Sequence, residues 1–350
     1  MLKSGQSFTK GEGILREFLR EKGVNPSWHL YFIKAMGQMT FGLFATLIIG
    51  LIIKTAGEQF GIAAFLEIGE LAMDLYGAAI GAAVALALGA PSFVVLATIV
   101  CGTAGAVYGG PAGSFLAAVV AAETGKLVFG STKVDILVTP IVTIMSGFAV
   151  AWLLGPAISF VMESISGAIA WATDQQPLMM SIVVAILMGW ALTAPISSAA
   201  IGLMLGLEGA VACAAAIGCA GQMVGFAVAS FRENRFGGLL ALGIGTSMLQ
   251  MPNILKNPLI LIPPTIAGAV SAPIGTIWFG LINNAAGSGM GTSGLVGPIM
   301  TFTEMGYSGS LFIQVILCYV IIPAVCAFIV SEWMRRKGWI KWNDMHISFN

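Results

Sequence analysis

Residues 245–264, GTSMLQMPNILKNPLILIPP, decide how this chain is read. The stretch sets four prolines, two asparagines, a glutamine and a lysine between two apolar runs. A helix that only crossed a bilayer would gain nothing from them. An unpaired buried polar group costs about 1–3 kcal/mol, and an interior proline removes an N–H and clashes with the preceding turn. Such a segment belongs where the backbone is broken inside a membrane protein.

The surrounding composition sharpens the contrast. Of 350 residues, 57% are hydrophobic and only 9% charged, against about 25% charged in soluble proteins. That is too little charge to clothe a surface facing water. Lys plus Arg and Asp plus Glu balance at 16 each, which excludes the charge pattern of a nucleic-acid binder. The chain reads as an all-α polytopic membrane protein. Because a crossing takes about 20 apolar residues, residues 35–331 have room for about ten transmembrane helices, two of the pieces being re-entrant hairpins. This reading gives a cytoplasmic amphipathic segment (1–34), a transmembrane domain (35–331) and a basic cytoplasmic tail (332–350).

Basic residues set the orientation. Lys3, Lys10, Arg16, Arg20, Lys22 and Lys34 precede the first long apolar run, and Arg335, Arg336, Lys337 and Lys341 follow the last. Both termini are therefore expected in the cytoplasm, with an even number of crossings. Arg232 and Arg235 in FRENRFGG mark a further cytoplasmic turn, whereas Glu58, Glu67, Glu70 and Asp74 suit the outer side. GILREFLREKG (13–23) has apolar residues at helical spacing and reads as a helix lying on the membrane surface. Cys101, Cys213, Cys219, Cys318 and Cys326 all fall in apolar runs without metal-ligand spacing. They read as small buried residues, and no metal, cofactor or catalytic residue is expected. His29 and His346 lie in the tails and read as solvated; Glu304 reads as a loop residue.

A second segment shares the abnormality of the first. INNAAGSGMGTSGLVGP (282–298) is too rich in glycine and polar groups for a plain span, and ALTAPISSAA (191–200) interrupts another apolar run. Irregular backbone survives at membrane depth only when buried in protein or lining water, and transporters build solute sites from it. Residues 245–258 are expected to form a re-entrant hairpin with a short helix stopped by Pro252 and a turn through Asn253 to Asn257. Pro258 then starts the next helix. Gln250 and Asn253 would face residues 288–293 across a polar cavity.

The run PNILKNPLILIP (252–263) resembles the I-P-F-A-A-K-D-P-L-R-V-I-P segment of fructose-type enzyme IIC, the membrane channel of the bacterial phosphoenolpyruvate-dependent sugar phosphotransferase system. Pro252, Lys256, Pro258, Leu259, Ile262 and Pro263 fall in register. YGGPAGSFLAAVVA (108–121) is similar to that family's G-G-F-I-G-A-I-I-A-G, and TPIVTIMSGFAVAWLLGPAI (139–158) to its I-P-L-L-S-T-L-I-V-G-L-L-M-I-Y-V-I-G-P-P. The likeness covers most of residues 75–331 and looks closer to a stand-alone branch that includes a regulator of toxin genes.

The departures remove charge at three sites. Where the family's first hairpin has a glutamate thought to hold sugar hydroxyls, this chain has Met248; where its second hairpin carries P-H-G-G, Thr292 stands near the histidine. In the segment similar to D-M-G-G-P-I-N-K-A-A, Ala191, Ser197 and Ser198 replace aspartate, asparagine and lysine. The remaining solute-binding candidates are Gln250, Asn253, Lys256, Asn257, Asn283, Asn284, Ser288, Thr292 and Ser293, with Thr193, Ser197 and Ser198. Asn283 and Asn284 also suit a helix cap. The resemblance implies a homodimeric permease of the bacterial inner membrane. It would carry a sugar or other small polar solute, with phosphotransfer IIA and IIB proteins on separate chains. A non-phosphorylating facilitator or secondary transporter, and a membrane-bound solute sensor, are the alternatives.

Overall fold

A computed structural model describes residues 17–347. Helices carry the architecture, because lipid offers no partner to a free backbone group. Among the described residues, extended pairing amounts to one isolated antiparallel bridge, between Gly209 and Asn283.

Helix α1 (His29–Phe60) ends where Gly61 turns left-handed at φ 66°. Helices α2 (Ala63–Asp74) and α3 (Tyr76–Ala87) lead the chain back, bent by 46°. Helices α1 and α2 touch backbone to backbone: a Cβ on Gly50 would lie 2.8 Å from the carbonyl oxygen of Gly69. Close approach of small residues is how helices associate where lipid tails are as apolar as the side chains.

Helix α4 (Ser92–Val128) is one run of helical residues but two directions. The chain reverses at Gly109 (φ −154°, ψ 20°) and Gly110 (φ 58°, ψ −150°). Ser114 consequently donates to the Gly102 carbonyl at 2.8 Å, and Gly125 lies against Val94. Residues 92–108 and 111–128 are antiparallel legs, each about 25 Å long. Pro111 opens the second leg, where its missing N–H leaves no bond unmade. Helix α5 (Asp135–Thr173) lies against both legs, with Gly147 on Cys101 and Ala121.

The remaining elements are α6 (Pro177–Thr193), α7 (Ser198–Met204), α8 (Gly209–Ala229), α9 (Phe231–Leu240) and α11 (Val296–Met305), with α10 (Pro258–Trp278) and α12 (Gly309–Arg336). Helix α8 is the axis of this half and is buried along almost its whole length. Its glycines admit three neighbours: Gly218 meets the Ala185 backbone of α6, while Gly221 meets Gly268 and Gly225 meets Pro264 of α10.

Among the described residues, six helices are long and apolar enough to cross a membrane, or seven with the bent α2–α3 pair. The expectation of about ten is not matched by this measure, in which the two legs of α4 count once and residues 177–204, 231–257 and 279–305 contribute pieces too short or broken to count.

The two ends of the described chain share a face, since His29 at the start of α1 and His346 after α12 line one cleft. Also on this face, the Lys22 ammonium donates to the Phe129 carbonyl at 2.9 Å. Lys126, 3% exposed, donates to the Gly23 and Leu88 carbonyls at 2.9 and 3.0 Å and pairs with Glu123 at 2.8 Å. A buried ammonium so compensated is tolerable. At the opposite face Tyr307 donates to Gln59 at 3.4 Å and Lys54 pairs with Glu70 at 2.9 Å. Of the surface helix expected over 13–23, residues 17–21 are helical; its earlier part lies outside the described residues.

Candidate functional site

The first hairpin begins as α9 continues through a π-turn at Ala241–Gly245. The helix breaks at Thr246, which is extended (φ −158°, ψ 141°) and accepts the Met248 N–H on its own hydroxyl at 3.2 Å. Two short turns follow, Ser247–Gln250 and Met251–Ile254. Pro258 opens α10 as expected, capped by Asn257, whose side chain accepts the Leu259 N–H at 3.2 Å. Pro252 does not stop a helix. It stands in the first turn of Met251–Ile254, where proline leaves no helical bond broken, and the interruption falls earlier, at Thr246.

The second hairpin enters from the other face. Asn283 exchanges backbone bonds of 2.9 and 3.1 Å with Gly209, and its buried amide reaches the Gly297 carbonyl at 2.9 Å and the Tyr319 hydroxyl at 3.0 Å. Asn284 caps Ala285–Ser288 by accepting the Gly287 N–H at 3.1 Å, and it donates to Glu304 at 2.9 Å. Glu304 belongs to the last turns of α11 rather than to a loop. At the tip Gly291, Gly294 and Leu295 are all left-handed, with φ 54°, 55° and 61°.

The two tips meet. The Thr292 hydroxyl donates to the Gly243 carbonyl at 2.5 Å and Ser293 to the Gly245 carbonyl at 2.8 Å. The α6–α7 break joins them: Thr193 and Ser247 share a hydrogen bond of 2.8 Å, and Ser198 donates to the Gly289 carbonyl at 2.6 Å. Thr193, Ser198, Thr292 and Ser293 thus converge at one buried junction of three broken segments. Ser197 lies in the α6–α7 connection, and Ser288 donates back to the Ala285 carbonyl at 2.8 Å. Asn283 and Asn284 hold the base of the second hairpin, away from its tip.

Gln250, Asn253 and Asn257 do not face residues 288–293. They hold the C-terminal tail. Gln250 donates to the Met345 carbonyl at 2.8 Å, Asn253 to His346 at 2.9 Å and Asn257 to Trp339 at 3.0 Å. Lys256 is exposed beside them. The reason is geometric: after Thr246 the chain runs back to its own face, so polar residues past Met248 leave the junction.

Some residues of the site escaped the sequence reading. The acceptors at the junction are glycine carbonyls, marked only by the Gly-Ile-Gly of 243–245. Gln222 of α8, 1% exposed, donates to Thr265 at 3.0 Å; an isolated glutamine within an apolar helix was the available signal. Met248 is 4% exposed in an apolar cluster with residues of α1 and α3. The junction itself is uncharged: hydroxyl donors and carbonyl acceptors close it, groups that could exchange their bonds for those of a hydroxylated molecule.

Broken helices from opposite faces, joined at buried hydroxyls within an all-α apolar fold, define a polytopic membrane protein with paired re-entrant hairpins. The chain belongs to the family described as Phosphotransferase system, EIIC, which matches residues 33–347. No curated protein and no solved structure is significantly similar to it.

Proposed function

We propose that this protein is a stand-alone EIIC-type permease of a bacterial inner membrane. It carries a small hydroxylated solute, a sugar or polyol, and any IIA and IIB phosphotransfer partners are separate chains. One observation supports this reading above the others: the bonds from Thr292 and Ser293 to the Gly243 and Gly245 carbonyls close a polar barrier between two hairpins of opposite entry. A solute hydroxyl can replace each bond in turn, which keeps the cost of passage low because no buried group is left unpaired. Thr193, Ser198, Thr292 and Ser293 are the residues assigned to solute.

The test is counterflow of labelled hexoses, pentoses and polyols in proteoliposomes. At least one sugar or polyol should exchange in a protein-dependent manner, and Ser293→Ala should slow it about fivefold, the loss of one hydrogen bond of about 1 kcal/mol. Absence of flux for the whole panel, with or without phosphoenolpyruvate and phosphotransferase proteins, overturns the proposal. The alternative as a solute sensor draws on the tail held by Gln250, Asn253 and Asn257, which would carry hairpin movement to the surface; solute binding without flux selects it.

A further inference from the structure

Away from the hairpin junction, a cleft of about 250 Å³ opens on the face that carries both ends of the described chain. It is lined by Lys34 and His29 of α1, Lys256 of the first hairpin turn and His346 of the tail, with Gln38 and Asn253 between them. No acidic residue lines it. Among the described residues neither Lys34 nor Lys256 forms an ion pair, although the chain has as many acids as bases. Buried Lys126 is matched by Glu123 and half-buried Arg335 by Glu233, whereas Lys34 and Lys256 stand exposed at the cleft.

The cleft is also built rather than incidental. Asn253 bonds the His346 carbonyl at 2.9 Å, and Glu233 accepts the backbone N–H groups of Asn343 and Met345 at 3.2 and 3.0 Å. These bonds hold the tail so that His346 closes the cleft. Two ammonium groups lining one cleft that no carboxylate lines favour a ligand of negative charge. The lysine ammoniums are donors only, and the imidazoles and the Gln38 amide can each donate as well, which matches the several acceptor oxygens of a phosphate group. The volume falls below the roughly 300–1,000 Å³ of drug-sized ligand pockets, which restricts the ligand to a small anion.

We infer that this cleft binds a phosphate group, as inorganic phosphate, a small phosphate monoester or the headgroup of an anionic lipid. The inference goes beyond solute transport, and its test reads binding, so it fails or succeeds separately from flux. Full-length protein in neutral detergent is titrated with inorganic phosphate and with glycerol 3-phosphate by isothermal calorimetry, at constant ionic strength in chloride. Saturable binding is expected. Lys34→Gln combined with Lys256→Gln should weaken it at least tenfold, whereas Lys337→Gln, outside the cleft, should change it less than twofold. Retained thermal unfolding of the double variant shows that folding is not the cause.

A second arm distinguishes the sources. The same titration is run in nanodiscs of phosphatidylcholine alone and of phosphatidylcholine with phosphatidylglycerol, and bound lipid is read by native mass spectrometry. Unchanged phosphate affinity in both assigns the site to a soluble phosphate. Competition by phosphatidylglycerol, lost with the double variant, assigns it to a headgroup. No saturable binding of any probe, or binding indifferent to the double substitution, overturns the inference.

Discussion

At the scale of single residues, the hairpin junction depends on positions where a side chain has no room. Gly291 has φ +54°, and a Cβ there would lie 2.6 Å from the Ala220 nitrogen of α8. Both the left-handed backbone and the clash with a rigid helix oppose any other residue. Gly291→Ala should cost about 2 kcal/mol or more and lower the unfolding temperature in detergent. Gly243→Ala is the control, because its Cβ would meet only the Ala227 Cβ at an ordinary 3.6 Å. Equal melting of the two variants would remove the steric argument. The charge losses also act at this scale. Met248 fills an apolar cluster and Thr292 offers a neutral hydroxyl, so no carboxylate or imidazole awaits a hexose at these positions. Fructose, glucose and mannitol should not be phosphorylated efficiently by membranes bearing this protein with phosphotransferase proteins and labelled phosphoenolpyruvate. Rapid protein-dependent sugar phosphate would contradict that reading of both residues.

Elements explain what the sequence made legible and what it hid. The polar interruptions at 191–200, 245–258 and 282–298 could be located from composition alone, since lipid forbids them in a plain span. Their hydroxyls at Thr193, Ser198, Thr292 and Ser293 were candidates for the same reason. Sequence polarity marks a residue as needing a partner but does not say which one. Gln250, Asn253 and Asn257 found theirs far along the chain, at backbone carbonyls of the tail, which no residue type marks in the sequence. The number of spans is likewise hard to read from the sequence: hydropathy measures apolar length, and the fold uses part of that length in segments that turn back. The fold-back of α4 was visible only as a pair of glycines before Pro111.

The tail is itself an element with a testable role. The Glu233 side chain is 0% exposed and pairs with Arg335 at 2.9 Å, while its oxygens accept two tail N–H groups. Asn234 adds bonds of 2.8 Å to the Met345 carbonyl and the Ile347 N–H. Breaking a buried pair costs roughly 3–5 kcal/mol because the remaining charge is unpaired. Glu233→Gln should therefore release the tail. Hydrogen exchange should rise at residues 339–347 and also at 250–257, whose side chains the tail satisfies. Faster exchange confined to the tail would show that the first hairpin stands without it.

For the whole molecule, the decisive property is that hairpins enter from opposite faces while both ends of the described chain share one. The first hairpin turns beside the tail and Lys256; the second is based near Asn284 and Glu304, on the side of the Gln59–Tyr307 contact. Basic residues concentrate at the first face, in Lys22, Lys34, Arg232, Arg335 and Lys337, whereas Glu58, Glu67 and Glu70 lie toward the second. A Lys/Arg bias of this kind orients a membrane protein with its basic side in the cytoplasm. Single cysteines placed at 235, 307 and 341, in a background with the five native cysteines replaced, test this in intact cells. An impermeant maleimide added outside should label position 307 and spare 235 and 341, with the pattern inverted in inside-out vesicles. External labelling at 235 or 341 would reverse the orientation. Labelling of 307 from the same side as 341 would break the fold's central geometry, because the two hairpins could then no longer approach the junction from opposite faces.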